Sequence, residues 1–388
     1  MRVIYQLWGI PGSHKDWDRF LERLDILQDR YPAKTLVCGI DAPEYVYRRI
    51  MDRAARDGAE LYLWLPVFSE LDSLACFDPL VDWRGERFLE NTDLRFFRFR
   101  CPGSGRNREA VFEDSLRRLG AADFSGVFLD RIRYPSFQFG LPGVLGCFCP
   151  GCVERYRKMG LDPDALREAC AGLSRRITAG EPDPLGLEGF DGCRWTFRDP
   201  ALQALFDARC AILSESLSDL TAAYRARGCK IGLDLFTPAL GYFTGQDFGR
   251  IARIADFVKP MMYLHTDAPA GLPYELEAVA QAAGPQSRRD LMHLSGGETV
   301  DAFASAEIRR MMDFSRRMPD PVPVFFGTEY NRVRDIAPVG PAEINHSLRV
   351  FRAAGADGLM PSWDLLSAPD ENVYALLDAL QNPITGET

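Results

Sequence analysis

The chain has 388 residues, 46% of them hydrophobic and 26% charged, which is the balance of a globular protein with a sizeable core and not that of a disordered or membrane-embedded chain. A formal charge of −9 and a pI near 5.2 argue against a general basic field for polyanions, so nucleic acid is not an expected partner. Ten cysteines are too sparse for a disulfide scaffold.

The N-terminus, Met1-Arg2-Val3-Ile4-Tyr5-Gln6-Leu7-Trp8-Gly9, carries one positive charge but neither a long apolar core nor a small-residue cleavage site. It reads as a first strand, and a chain beginning in a core strand is expected to be cytoplasmic. No window is apolar for long enough to suggest a membrane span. Short apolar, β-rich runs then recur at about 3–9, 35–41, 60–67, 126–130, 230–236, 256–263, 322–328 and 357–363. Between them lie amphipathic helical patterns, among them 16–31, 44–57, 108–119, 202–227, 305–318 and 341–354. Pro341 suits a first helical turn and Gly355 a C-terminal stop. Strictly alternating β and α units imply a parallel sheet. Eight of them close most economically into a (β/α)8 TIM barrel of the α/β class, one domain over residues 1–388. A doubly wound open sheet is the alternative, but it would leave long apolar edge strands exposed.

Two long insertions interrupt the rhythm on the face where barrels place their chemistry. Residues 69–105 follow strand three and include Phe77, Trp83, Phe88, Phe96, Phe97 and Phe99; residues 136–200 follow strand four and include a Gly/Pro/Asp-rich stretch from 180 to 192. Ordered loops of this length usually work as lids or binding walls. In the second insertion, Cys147-Phe148-Cys149-Pro150-Gly151-Cys152 places three thiols around a Pro-Gly turn, which is metal-like spacing. A structural zinc needs four ligands, and Cys101 in the first insertion is the best fourth, ahead of Cys76 and Cys193. Three reduced thiols, or a redox pair of Cys149 and Cys152, is the other reading.

A parallel strand buried on both faces is apolar almost throughout, so the first charge marks where the chain leaves the core. In Gly126-Val127-Phe128-Leu129-Asp130-Arg131-Ile132-Arg133-Tyr134-Pro135 that charge is Asp130. Asp234 lies on strand five, Glu329 ends strand seven, and Asp41 and Asp364 follow strands two and eight. Each alone could cap a turn. Five together on one mouth repel one another and call for a substrate or fixed partners. Glycosidic bonds are usually cleaved by two flanking carboxyl groups, and Glu329 is favoured over Asp234 as partner to Asp130 for its longer reach and apolar lead-in. Trp8, Trp64, Tyr330 and Trp363 sit where flat rings can stack on sugars, or equally where they form barrel-top core. His14 and His265 are open to a structural or a binding reading.

The strand-four wording resembles that of glycosyl hydrolases with amylase-like barrels, on Gly126, Asp130, Arg133, Tyr134 and Pro135, and the strand-six segment Val258-Lys259-Pro260-Met261-Met262-Tyr263 is similar to another strand end of those barrels. The resemblance implies Asp130 as nucleophile, with Arg133, Tyr263 and His265 at the sugar. It implies a strand-five Glu as acid/base, where this chain has Asp234. The cysteines resemble the zinc clip of glycoside hydrolase family 42 β-galactosidases, although strand four here does not end in that family's Asn-Glu. The expected function is a retaining glycosidase acting on an oligosaccharide or glycoconjugate, with a structural zinc and no catalytic cofactor. A non-catalytic carbohydrate-binding barrel and a different barrel hydrolase are the alternatives. An aldolase is disfavoured because no strand ends in a lysine: Lys259 precedes Pro260, short of the strand end.

Overall fold

The computed structural model describes residues 1–9, 15–69, 78–88 and 98–382. Its strands are β1 (Arg2–Val3), β2 (Tyr5–Gln6), β3 (Thr35–Cys38), β4 (Glu60–Pro66), β5 (Gly126–Asp130), β6 (Leu187–Phe190), β7 (Trp195–Phe197), β8 (Lys230–Leu235), β9 (Phe257–Pro260), β10 (Phe326–Glu329) and β11 (Gly358–Ser362). All but the β6–β7 hairpin coincide with the expected apolar runs. They pair in parallel throughout, as a six-stranded sheet in the order β2-β3-β4-β5-β8-β9 and a three-stranded sheet in the order β1-β11-β10.

The expected first strand is split between these sheets: Arg2 and Val3 pair with β11, and Tyr5 and Gln6 with β3. At the other end, single bridges join Val258 to Val324 and Met261 to Gly327, with hydrogen bonds from Phe325 N–H to Val258 O (2.9 Å) and Met262 N–H to Gly327 O (3.1 Å). The six-stranded sheet is curled. Its first and last strands meet through their side chains, Gln6 Oε1 accepting from Lys259 Nζ at 3.3 Å.

Outside the sheet lie the expected helices, observed as Trp17–Arg30, Glu44–Asp57, Gly105–Leu119, Pro200–Arg225, Val300–Arg317 and Pro341–Ala353. Pro341 occupies the first turn of its helix, and Gly355 follows the last in a left-handed conformation (φ 86°). The first and last of these bury an apolar stripe: Phe20, Leu24 and Leu27 in the first, and Ile344, Leu348 and Phe351 in the last. The sequence reading passed over Leu272–Ala283 and Pro285–Leu294 after β9, and Asp370–Gln381 after β11. In the second insertion, helices Pro150–Lys158 and Pro163–Thr178 are followed by the β6–β7 hairpin, whose first strand lies in the Gly/Pro/Asp-rich stretch and whose second lies just beyond it. Phe77, Phe96, Phe97, Cys76 and His14 lie outside the described residues, whereas Trp83, Phe88 and Phe99 are buried. Among the described residues no helix is long and apolar enough to cross a membrane.

Gly327 shows how tightly the interior is fitted. A Cβ there would stand 2.5 Å from Lys259 Cε and 3.2 Å from Pro260 O. Lys259 is fully buried and cannot swing aside. The substitution Gly327→Ala is therefore expected to destabilise the protein by about 1 to 3 kcal/mol in denaturant titration, and an unchanged midpoint would contradict this packing.

Candidate functional site

Parallel pairing puts the carboxyl ends of all the barrel-type strands on one edge, and the expected carboxylates with them. Asp130 ends β5 and Asp234 lies on β8. These strands pair with Leu129 opposite Leu233, so the next residues along, Asp130 and Asp234, stand side by side. Both oxygens of Asp130 accept N–H donors: Oδ2 from the Trp64 indole at 2.9 Å and Oδ1 from the Arg131 backbone at 2.5 Å. That is the bonding an ionised carboxylate takes. Trp64, read as a possible stacking ring, is only 3% exposed and instead fixes Asp130.

Asp234 is buried, and its Oδ2 accepts from Lys259 Nζ at 2.8 Å. Its Oδ1 is buried without a hydrogen-bond partner among the described residues. Burial pushes this carboxyl up to about 7, with the Asp130 charge adding to the rise and the Lys259 ammonium opposing it. Lys259 Nζ also donates to Tyr263 Oη (2.5 Å) and Gln6 Oε1 (3.3 Å), which completes its three donors. Sequence reasoning dismissed Lys259 because it does not end a strand. The available signal was a lysine inside an otherwise apolar run, since such a residue is almost never buried unless paired.

Glu329 ends β10, opposite Ser362 of β11 and away from β5 in the strand order. Its Oε1 accepts from the His265 backbone N–H (2.8 Å) and the Thr266 hydroxyl (2.9 Å), and its Oε2 is buried without a partner among the described residues. Burial raises it to about 6.

The other expected residues have partners within the protein. Trp8 and Tyr330 are completely buried: the Trp8 indole donates to Ile40 O and packs edge-on against Trp17 and Phe20, and the Tyr330 hydroxyl donates to Gln6 O. They are core and cannot stack on a ligand. The His265 ring bonds the His346 ring (3.1 Å), which in turn bonds Asp301 (2.9 Å), so only its backbone N–H serves Glu329. Asp41 is largely exposed and paired with Arg118. Asp364 is taken up by its own turn, through Leu366 N–H and the Ser367 hydroxyl. Arg133 is buried with its guanidinium over the rings of Phe99 and Phe236, where desolvation lowers its basicity. Tyr263 reaches the centre through Lys259, and half-buried Trp363 packs edge-on against it at 5.4 Å.

Cys101, Cys147, Cys149 and Cys152 come together as the spacing suggested. Their sulfurs all lie within 4.8 Å of one another, and all four residues are buried. Cys149 precedes Pro150 at the start of a helix whose first turn carries Cys152. Cys147 Sγ accepts N–H groups from Val81 and Cys149, each at 3.4 Å. Gly103 leaves room, since a Cβ there would stand 3.2 Å from Cys152 Sγ. Hydrogen bonds from the other thiols push Cys149 down, toward its thiolate, while Cys101 is pushed up. Further thiolates at this spacing need a cation. The cluster is thus able to hold a metal ion, and four sulfurs would leave it no open position for chemistry. Cys193 stands apart from the cluster.

No protein-family model and no curated protein matches the chain. Solved structures do. The PgaB (BpsB) glycoside hydrolase domain from Bordetella bronchiseptica aligns over 97% of this chain and 98% of its own at 15% identity, with a TM-score of 0.58. A β-galactosidase from the psychrophilic Marinomonas ef1 (12% identity, TM-score 0.52) and one from Rahnella sp. R3 (14%, 0.51) each cover 98% of this chain, which spans 59% and 56% of theirs. The likeness shows a shared TIM-like α/β fold.

Glu329 supplies a test of the site's electrostatics. Its folded-state value lies above the ordinary 4.5 of the unfolded chain, so its contribution is fully present below 4.5 and is lost as pH rises through about 6. Glu329→Gln removes that dependence. The variant is expected to gain up to about 2 kcal/mol on wild type at pH 7 to 8, with the gap closing toward pH 4.5; a gap that does not vary with pH would refute the assignment.

Proposed function

We propose that this chain is a glycoside hydrolase acting on an oligosaccharide or glycoconjugate with retention. Its two sheets would form one closed (β/α)8 barrel over residues 1–388, with residues 69–105 and 136–200 as insertions walling the mouth. The bridges from β9 to β10 and the Gln6–Lys259 contact support closure. The observation that carries the function is the pair Asp130 and Asp234. One carboxyl is held by N–H donors on both oxygens; its neighbour is buried, raised to about 7 and has a free oxygen. Environments that separate two carboxyl groups in this way assign a base or nucleophile and an acid.

Asp130 attacks the anomeric carbon, and Asp234 protonates the leaving oxygen through Oδ1. In the second half-reaction Asp234 takes a proton from water as the glycosyl–Asp130 ester is opened. Side chains from neighbouring strands lie about 5 Å apart, which suits the about 5 to 5.5 Å separation of retaining enzymes. This revises the preference for Glu329, whose strand is further round the sheet. Glu329 is left to bind a substrate hydroxyl through Oε2, beside Trp363. That the neighbouring folds include a glycoside hydrolase domain and two β-galactosidases supports the class. A second reading, a sugar-binding barrel without catalysis, is favoured by the ion pair between Lys259 and Asp234.

A panel of chromogenic glycosides separates the two. Asp130→Asn and Asp234→Asn are each expected to lower turnover by about 10² to 10⁴, and Glu329→Gln to act mainly on KM. Activity surviving both aspartate substitutions would remove the mechanism, and sugar binding with no wild-type hydrolysis would select the second reading.

For the cysteines we propose structural zinc, in a clip similar to that of family 42 β-galactosidases, tying the first insertion to the second. Elemental analysis is expected to find about one zinc per chain, lost in Cys149→Ser. Purified protein with only trace zinc would contradict it.

A further inference from the structure

We propose that Lys259 is a positioning residue for Asp234: it anchors one carboxyl oxygen and leaves the other free to face the scissile bond. This rests on the glycosidase reading and adds a residue to it. The geometry is specific. Lys259 is completely buried near the end of β9, beside Asp234 in the β8–β9 pairing. Its three donors are distributed over Asp234 Oδ2, Tyr263 Oη and Gln6 Oε1, on three separate parts of the chain. The ammonium stands 4.9 Å from the Tyr263 ring centroid and 5.9 Å from that of Phe128. Gly327 provides the space through which its Cε passes. An ammonium pinned in this way cannot leave when substrate arrives, so the rotation of the Asp234 carboxyl is fixed and Oδ1 has one direction.

The same contact has an electrostatic consequence. An acid/base carboxyl must give up its proton and carry charge until it recovers one. A buried carboxyl with no cation resists that, because burial disfavours the charged form. Lys259 stabilises the Asp234 anion at the moment it forms. The charged and titratable groups facing Asp234 are Asp130 on β5, Arg131 and Arg133 just beyond it, Lys259 on β9 and Tyr263 after it; Gln6 on β2 is neutral. Of these Lys259 is the cation in direct contact.

The test follows Asp234 directly, by carbon-13 NMR of its carboxyl with Asp234→Asn for assignment, alongside the pH profile of kcat/KM on a glycoside that the wild type cleaves. Removing the cation raises the acid's pKa, so Lys259→Met is expected to move both the Asp234 titration and the alkaline limb upward by about 1 to 3 pH units. The loss should fall on kcat, roughly tenfold or more, with KM little changed, and Lys259→Arg should restore the wild-type limb in part. A folded Lys259→Met protein whose Asp234 titration and alkaline limb do not move overturns the proposal. If Lys259→Met does not fold, Lys259→Gln, which keeps a hydrogen-bond donor without the charge, decides: an upward shift of the Asp234 titration and alkaline limb is expected, and wild-type positions for both would count against the anchoring role. Should the titration shift as expected while the wild type cleaves no glycoside, the glycosidase reading falls and the coupling of Lys259 to Asp234 stands.

Discussion

A fully buried ammonium is the most demanding group in this molecule. Stripping a charge of water costs several kcal/mol even after relaxation, and the structure offsets that by bringing Asp234, Tyr263 and Gln6 to one nitrogen. Those partners come from β8, the segment after β9, and β2. The sheet can satisfy Lys259 only if it curls far enough for its two end strands to approach across the interior. Strand pairing alone would allow a flatter sheet; the buried cation does not. Local chemistry and global curvature are therefore a single constraint, and Gly327 is where the backbone of the next strand yields space to it.

The cysteine cluster constrains the other side of the mouth. Cys101 lies two residues beyond Phe99, whose ring covers the Arg133 guanidinium, and Arg133 follows Asp130 by three residues. Holding Cys101 against Cys147, Cys149 and Cys152 fixes where Phe99 sits, hence how Arg133 is screened and how much of its charge reaches the carboxylates. Val81, from the same insertion, donates its N–H to Cys147. The cluster thus bears on the surroundings of Arg133 through packing.

The strands were legible because each is a short apolar run between amphipathic helices, and Asp130 was legible because a charge in such a run marks its exit from the core. The same rule concealed Lys259, which keeps its charge inside the interior by virtue of partners scattered along the chain. Trp8 and Tyr330 were open to a mouth or a core position, since lying near a strand end says nothing about which face a ring takes when both faces are buried, and both are core. Trp64 illustrates the same ambiguity with a different outcome: it is buried too, yet its indole N–H belongs to the site. The helices after β9 escaped notice because alanine-rich segments such as Glu277–Ala283 carry a weak apolar stripe. The cysteine cluster was readable since three of its members are neighbours in sequence, and the fourth required the fold only to bring one loop against another.

Five acidic residues on one mouth posed a problem of repulsion, and the structure resolves it residue by residue. Asp41 turns outward to Arg118, and Asp364 is consumed by backbone and hydroxyl donors in its own turn. Glu329 is raised by burial and served by neutral donors, so it holds its proton to higher pH than an exposed carboxyl. Asp234 is balanced by Lys259. Asp130 keeps N–H donors on both oxygens, with the Arg133 guanidinium close enough to interact with its charge. A glycosidic bond breaks through a transition state with one developing positive charge at the anomeric carbon. A site with several free carboxylates would bind water and cations in preference to a neutral sugar; a site with none would have nothing to offer that charge. Under the proposed glycosidase reading, Asp130 is the group that meets this developing charge, and an interaction that strengthens in the transition state is the kind that raises turnover.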